Sequence, residues 1–460
     1  MKKFDNFFYL TEGGNLSINN KYFADDINLQ YLDQKKATKF IEDLENLFRE
    51  INKIYTQQFD KPLWEQLETL LRTNKIYSGS SKIFVEFVKE GKFDLFAQYK
   101  KTVGDIDIQF CEDFIEDFEL LFTTNNTKLS NSNAPQTIGN FIFYGEGGTG
   151  VIQKNCLFGY NFGVNMNNGE QDSKKITYVQ IDFEPVAFER GIPTKFSQFS
   201  HSASFEDIQE GIKGVFHKFL LQSILDVSNQ ILVDFKLYTA NGKTTTRKNI
   251  KKTLYSFSVD RGFRERYVPT VEKPEGTELA KNNSGEYIYL DLKNKTERDN
   301  ISKNNYTINV SELKFKDLEN DTRGVNLVND NLLFINPKSL LYSQNLDVLF
   351  SLLFGVEPSD DDREKFNSFI GLLELLKKYE GRGEDIEKEV YNSFLEKLYS
   401  PSAQLLYKRD SRNPKGEIHE RDFATKQAAV NKFQDIFTNI TVDYPEDKFN
   451  NIITNYYQLK

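Results

Sequence analysis

Sulfur and imidazole are scarce in this chain. Its 460 residues include 2 cysteines, 3 histidines, 2 methionines and 1 tryptophan. Cys111 and Cys156 are too few for a disulfide framework, and with three histidines they make no plausible zinc cluster. Long apolar runs are missing, and Met1-Lys2-Lys3-Phe4-Asp5 leads into no signal-peptide core. These lacks predict a cytoplasmic protein with no membrane partner. There is no internal repeat and no heptad array. Positive charge is also short: the formal net charge is −9. A protein whose whole surface grips nucleic acid is basic, so any RNA contact must be confined to a local groove.

What is present is the makeup of a soluble globular protein, 38% hydrophobic and 28% charged, long enough for two or three domains. The stretch Lys101–Phe110, K-T-V-G-D-I-D-I-Q-F, alternates at period two and predicts a strand. Val103, Ile106, Ile108 and Phe110 are its apolar residues, while Asp105, Asp107 and Gln109 share the other face. Adjacent carboxylates repel, and a cation held between them is their usual justification. Hard cations such as Mg²⁺ take carboxylate and phosphate oxygens. A solvated strand face is the ordinary alternative for D-x-D by itself.

Two further stretches bear on that choice. Ile76-Tyr77-Ser78-Gly79-Ser80-Ser81 precedes the helical run Ile83–Val88. A strand, a Gly-Ser-Ser turn and a helix start would aim backbone N–H groups and two hydroxyls at one point, which suits a phosphate. Downstream, Tyr178–Phe183 alternates again and isolates Asp182 among residues that want burial. Pairing of the two strands would bring Asp182 to the face of Asp105 and Asp107.

Gly79-Ser80-Ser81, Asp105-x-Asp107 and Asp182 together resemble the DNA polymerase β-like nucleotidyltransferase superfamily, over roughly the stretch from Asn74 to Leu220. The resemblance implies an α+β fold with a short mixed or antiparallel sheet, flanking helices and a helical C-terminal domain. It implies Mg²⁺ or Mn²⁺ held by Asp105, Asp107 and Asp182, and an NTP substrate touched by Gly79, Ser80 and Ser81. It also makes Lys213 and Lys218, beyond the third acid, candidates for the triphosphate, a solvated helix face being their plainer reading. The turn lies further from the D-x-D than in many members, so Gly91–Gly104 is expected as an inserted loop. The implied reaction moves an NMP onto an acceptor hydroxyl: an RNA or tRNA 3′ end, or else a protein, a small molecule or a second nucleotide. A non-catalytic interaction protein on the same scaffold is the reading from another class.

The rest of the chain divides as 1–73, an N-terminal helical region; 74–270, the catalytic core with insertions; 271–335, a β-rich linking subdomain; and 336–460, the helical C-terminal domain. Helices are expected over Ala37–Tyr55, from an N-cap at Asp60 through Leu71 with Trp64 as core, and over Glu112–Phe122. The glycine-dense Asn140–Gly169 lacks the Gly-Lys-Ser/Thr of a phosphate-binding loop. It reads as a β-hairpin, or more sharply as a flap beside the acids. Ser204-Phe205-Glu206-Asp207 resembles a capping box before one helix running through Leu220. Gln230–Tyr238 and Lys252–Val259 read as paired strands. The basic-aromatic stretch 247–267, with Arg247, Arg264, Phe257 and Phe263, reads either as a phosphate-and-base contact or as an ordinary hairpin. Pro337–Phe354, Arg363–Tyr379, Glu384–Tyr399 and Lys426–Ile440 are expected helices. Lys408–Arg412 is a basic loop. His201 and His217 have no acid or nucleophile partner in sequence and are assigned no catalytic role.

Overall fold

The computed structural model describes residues 16–18, 21–123, 128–130, 134–147, 154–238, 244–259, 261–265, 267–271, 277–281, 287–291, 324–328, 331–335, 343–379, 385–399, 420–437 and 440. The chain is mixed α+β and forms two compact units, Met1–Leu221 with Pro358–Lys460, and Gln222–Glu357. Each contains a five-stranded sheet.

The first unit opens with short strands β1 (Ser17–Ile18), β2 (Tyr22–Phe23) and β3 (Ile27–Asn28). Helix α1 (Gln34–Phe59) follows, capped by the Asp33 carboxylate on the Lys36 N–H. Its stripe of Phe40, Ile41, Leu44, Leu47, Phe48 and Ile51 is buried. Asp60 does not open the next helix. It closes α1 in the left-handed region (φ 55°), its N–H on the Thr56 carbonyl, a conformation Asp tolerates. Pro62 then holds the chain out of helix, and α2 covers only Leu67–Arg72. Trp64 is core, as expected, and its indole N–H donates to the Gln109 carbonyl at 2.8 Å.

Helix α3 (Gly79–Lys89) buries Phe84, Val85 and Val88. The loop expected over Gly91–Gly104 is instead mostly helix α4 (Phe93–Tyr99), which buries Phe93 and Phe96 one turn apart. So short an element gives too few periods to read. The expected single strand is cut at Gly104. Thr102–Val103, β4, pairs with β3, while β5 (Asp105–Cys111) enters the large sheet. A 3₁₀ turn over Glu112–Phe114 leads into α5 (Ile115–Thr123).

Strands β6 (Gln136–Ile138), β7 (Phe141–Gly147), β8 (Lys154–Tyr160) and β9 (Thr177–Val186) complete that sheet in the order β5-β9-β8-β7-β6. Only the β5–β9 pair is parallel. The β7–β8 hairpin matches the glycine-dense segment. Its tip, 148–153, and with it the flap, lies outside the described residues. One face of the sheet is apolar: Ile106, Ile108, Phe110, Ile181 and Phe183 are all buried in a single core with α1, α3 and α5. Phe118 of α5 sits 4.7 Å from the Phe110 ring and 5.0 Å from that of Phe183. On the other face β1 and β2 form a small apolar cluster, with Ile18, Ala24 and Leu157 packed beside Tyr22, Tyr144 and Tyr178.

After β9 come β10 (Phe188–Glu189), β11 (Ile192–Pro193), α6 (Lys195–Ser200), α7 (Phe205–Gln209) and α8 (Gly214–Ser228). The single helix expected here is split where Gly211 turns at φ +72°. Ser204 caps α7 through the Asp207 N–H. The reciprocal half of the box is absent, because the Asp207 carboxylate accepts the Phe369 and Ile370 N–H groups at 2.9 and 3.1 Å.

In the second unit β12 (Gln230–Tyr238) pairs with β13 (Thr244–Thr253), which shares only Lys252 and Thr253 with the expected Lys252–Val259 strand. The Thr-rich run forms the partner strand. Hairpin β14 (Tyr255–Ser258)–β15 (Gly262–Glu265) follows, with Phe257 and Phe263 buried. Then come β16 (Tyr267–Val271), β17 (Thr277–Lys281), β18 (Tyr287–Asp291), β19 (Gly324–Val328) and β20 (Asn331–Ile335). The start of the expected Pro337–Phe354 helix lies outside the described residues. Helix α9 is Leu346–Phe354, capped by Asn345.

The chain then returns to the first unit with α10 (Asp360–Lys365), α11 (Phe369–Lys378), α12 (Asp385–Tyr399) and α13 (Glu420–Ile436). A complete Ser359–Asp362 capping box starts α10, and Phe366 and Ser368 separate it from α11 where one helix was expected. Lys408–Arg412 lies outside the described residues. No described helix is long and apolar enough to cross a membrane.

Candidate metal centre

Parallel pairing of β5 with β9 sets Asp105 opposite Gln180, Asp107 opposite Asp182 and Gln109 opposite Glu184. Since residues two apart share a face, the polar side chains of both strands gather on one side and the aliphatic ones on the other. The three acids singled out from sequence come together: carboxylate oxygens of Asp105, Asp107 and Asp182 lie within 4.8 Å of one another. Asp182 is 1% exposed, deep in a strand whose neighbours are core.

Concentrated negative charge in a partly dry place is unfavourable without a counter-charge. The effect shows on Asp107. Burial, and after it the nearby Asp105, Glu184 and Asp182, hold its carboxyl well above the usual carboxylate range, while Lys100 pulls the other way. An all-oxygen donor set of three carboxylates fits a hard divalent ion such as Mg²⁺ or Mn²⁺. Donor chemistry and spacing agree on that fit.

The Gly79-Ser80-Ser81 turn is present but arranged differently from the expected phosphate cradle. The Gly79 N–H donates to the His201 carbonyl at 2.7 Å, and the Ser78 N–H to the Asp107 carbonyl at 3.1 Å. The Ser81 hydroxyl accepts the Asp107 N–H at 3.0 Å and donates to the Asp105 carbonyl at 3.3 Å. The Ser78 and Ser81 groups fasten the start of α3 to β5, and the Gly79 N–H ties it to the end of α6. Ser80 alone of the three turns its hydroxyl to a cation, accepting from Lys100 Nζ at 2.5 Å. Gly79 stands at φ +53°, and a Cβ there would come within 3.2 Å of Asp107 Oδ2. Only glycine lets the helix end approach the acid so closely.

Lys218 is not on a solvated flank. Its ammonium is buried and donates to the Phe199 carbonyl at 2.6 Å, to Ser202 Oγ at 3.3 Å and to His217 Nδ1 at 2.8 Å. Burial pulls it down to about 7, opposed by Asp207. His217 Nε2 therefore carries the proton and donates to the Phe366 carbonyl at 2.9 Å. Lys213 is half-buried just before α8. His201 Nδ1 lies 2.9 Å from Ser200 Oγ and 3.1 Å from the Ser197 carbonyl.

Three residues at the centre were not singled out from the sequence. Glu184 accepts the Ser78 hydroxyl at 2.6 Å and adds a fourth negative side chain near Asp107. Gln180 places Nε2 2.9 Å from each oxygen of Asp182. Lys100 follows α4, where the sequence predicts a loop. Period two was the available signal for the first two, since Gln180, Asp182 and Glu184 all fall on one strand face.

Comparison with protein-family models, curated proteins and solved structures yields no match for this chain.

Proposed function

We propose that the chain is a metal-dependent nucleotidyltransferase built on a polymerase β-like core, moving an NMP from an NTP to an acceptor hydroxyl with release of pyrophosphate. The convergence of Asp105, Asp107 and Asp182 from two parallel strands carries this reading. Asp105 and Asp107 would hold the ion that accompanies the triphosphate. Asp182, opposite Asp107, would share in holding a second ion, whose charge would favour loss of the acceptor's proton. Bound divalent ions supply Lewis-acid charge to the phosphoryl oxygens. The protein's share is positioning and charge balance: the Ser81 hydroxyl and the Ser78 amide fix the β5 backbone between the two acids. Lys100 stands beside them as a cation held on Ser80.

For the acceptor, a hydroxyl on a protein, small molecule or nucleotide is favoured over an RNA end. The net charge is −9, and Phe257 and Phe263 of the basic-aromatic stretch are buried, so neither offers a stacking face to a base. Incubation of the purified protein with each α-labelled NTP and Mg²⁺ or Mn²⁺, with and without total RNA, tests the proposal. The expected result is label transfer that does not require RNA and is lost in Asp105→Asn and Asp182→Asn. Full activity in both variants would sink it.

A further inference from the structure

Gln180 is 3% exposed, and both ends of its amide are committed. Its oxygen accepts the Leu16 N–H at 3.2 Å. That bond fixes which end of the amide faces Asp182: the nitrogen, 2.9 Å from both carboxylate oxygens. A carboxylate offers about four lone-pair positions. A donor bridging both oxygens holds the plane of the group, where an unsupported carboxylate would rotate about its last bond. The chain reaches Gln180 through a built contact. Leu16 packs on Gly147, where a Cβ would come within 2.7 Å of Leu16 Cδ1. Its carbonyl accepts the Ala24 N–H at 2.8 Å, and the Asp25 N–H next along bonds the Tyr178 carbonyl at 2.8 Å.

We infer that Gln180 is a positioning residue: it orients the Asp182 carboxylate for cation binding and is itself oriented by the backbone of Leu16. The inference rests on the metal-site reading above. It assigns to the β1 segment a part in ion affinity that its distance in sequence from the acids conceals. Supporting contacts of this kind typically contribute 10–100-fold to metal affinity.

The test is direct Mn²⁺ binding to the full chain, followed by electron paramagnetic resonance, alongside transfer rate against Mn²⁺ concentration. Gln180→Met keeps length and burial but removes the donor. It should weaken Mn²⁺ binding about 10–100-fold, with the maximal rate regained at high Mn²⁺. Leu16→Pro removes that N–H together with the side chain packed beside Gly147, and fixes φ; it should shift affinity in the same direction, and Gln180→Met remains the deciding variant. Circular dichroism on each variant confirms that it folds. Mn²⁺ affinity of folded Gln180→Met within about twofold of wild type overturns the inference. So does a maximal rate that stays low at saturating Mn²⁺, the mark of a merely structural defect. If wild type binds Mn²⁺ and transfers no nucleotide, the enzyme reading falls, and the affinity ratio still decides the role of Gln180. If wild type binds no Mn²⁺, both fall.

Discussion

At the scale of single residues the centre is held under electrostatic tension. Asp107 has its carboxyl raised by burial and by three acidic neighbours. A folded-state value above the unfolded one means stability that is full below about pH 4, the ordinary carboxylate range, and lost as pH rises through the folded value. The Asp107 contribution to the stability of the cation-free protein should therefore shrink as pH climbs from there toward neutrality, read as the difference between wild type and Asp107→Asn, and Mg²⁺ or Mn²⁺ should reverse it. Thermal unfolding across that range, in chelator and in excess ion, measures it. Asp107→Asn should flatten the slope and stabilise the cation-free form, while lowering transfer at least a hundredfold, more than the 10–100-fold typical of a supporting contact. Lys218 gives the opposite slope. Its depressed folded value, about 7, means the unfolded chain takes up the extra proton between about pH 7 and its ordinary value near 10.4, so stability rises with pH across that window. Lys218→Met should abolish this rise in denaturant titrations.

At the scale of elements the sequence was most readable where one period ran long enough. Ile106, Ile108 and Phe110 against Asp105, Asp107 and Gln109 declared a strand and its two faces, and the α1 stripe declared a helix. Asp182 stood out because a lone acid in an apolar run needs a reason. What stayed hidden depended on backbone partners that no local pattern encodes. Asp60 closes a helix rather than opening one. The Ser81 hydroxyl bonds the backbone of the neighbouring strand. Lys218 carries a long polar chain into the interior because Phe199, Ser202 and His217 wait there as acceptors. The junction of α3 with β5 supplies its own test. Gly79→Ala forces an L-residue to φ +53° and sets its methyl 3.2 Å from Asp107 Oδ2. It should cost about 1–2 kcal/mol for the left-handed conformation, read as a lower denaturation midpoint, and should weaken Mn²⁺ binding as Asp107 is displaced.

At the scale of the molecule the acids belong to one of two compact units. Ligand binding stabilises what it binds, by about 2.7 kcal/mol at a hundredfold excess over Kd. Scanning calorimetry should accordingly show Mn²⁺ raising the transition of the unit made of 1–221 and 358–460 and leaving that of 222–357 in place. Movement of the 222–357 transition alone, or of neither, would count against a site formed by the first unit's own residues.

The parallel β5–β9 ladder has one more consequence, for sequence drift. Opposed acids depend on the pairing frame and not on how much chain separates them. Length changes between the elements that join the two strands, outside the strands and helices themselves, can accumulate at little cost to the centre. A single residue gained or lost between Ile106 and Asp107, or between Ile181 and Asp182, would send an acid to the oily side of the sheet. Distant kin of this chain should therefore vary freely in spacing and hardly at all in the parity of these two short strands.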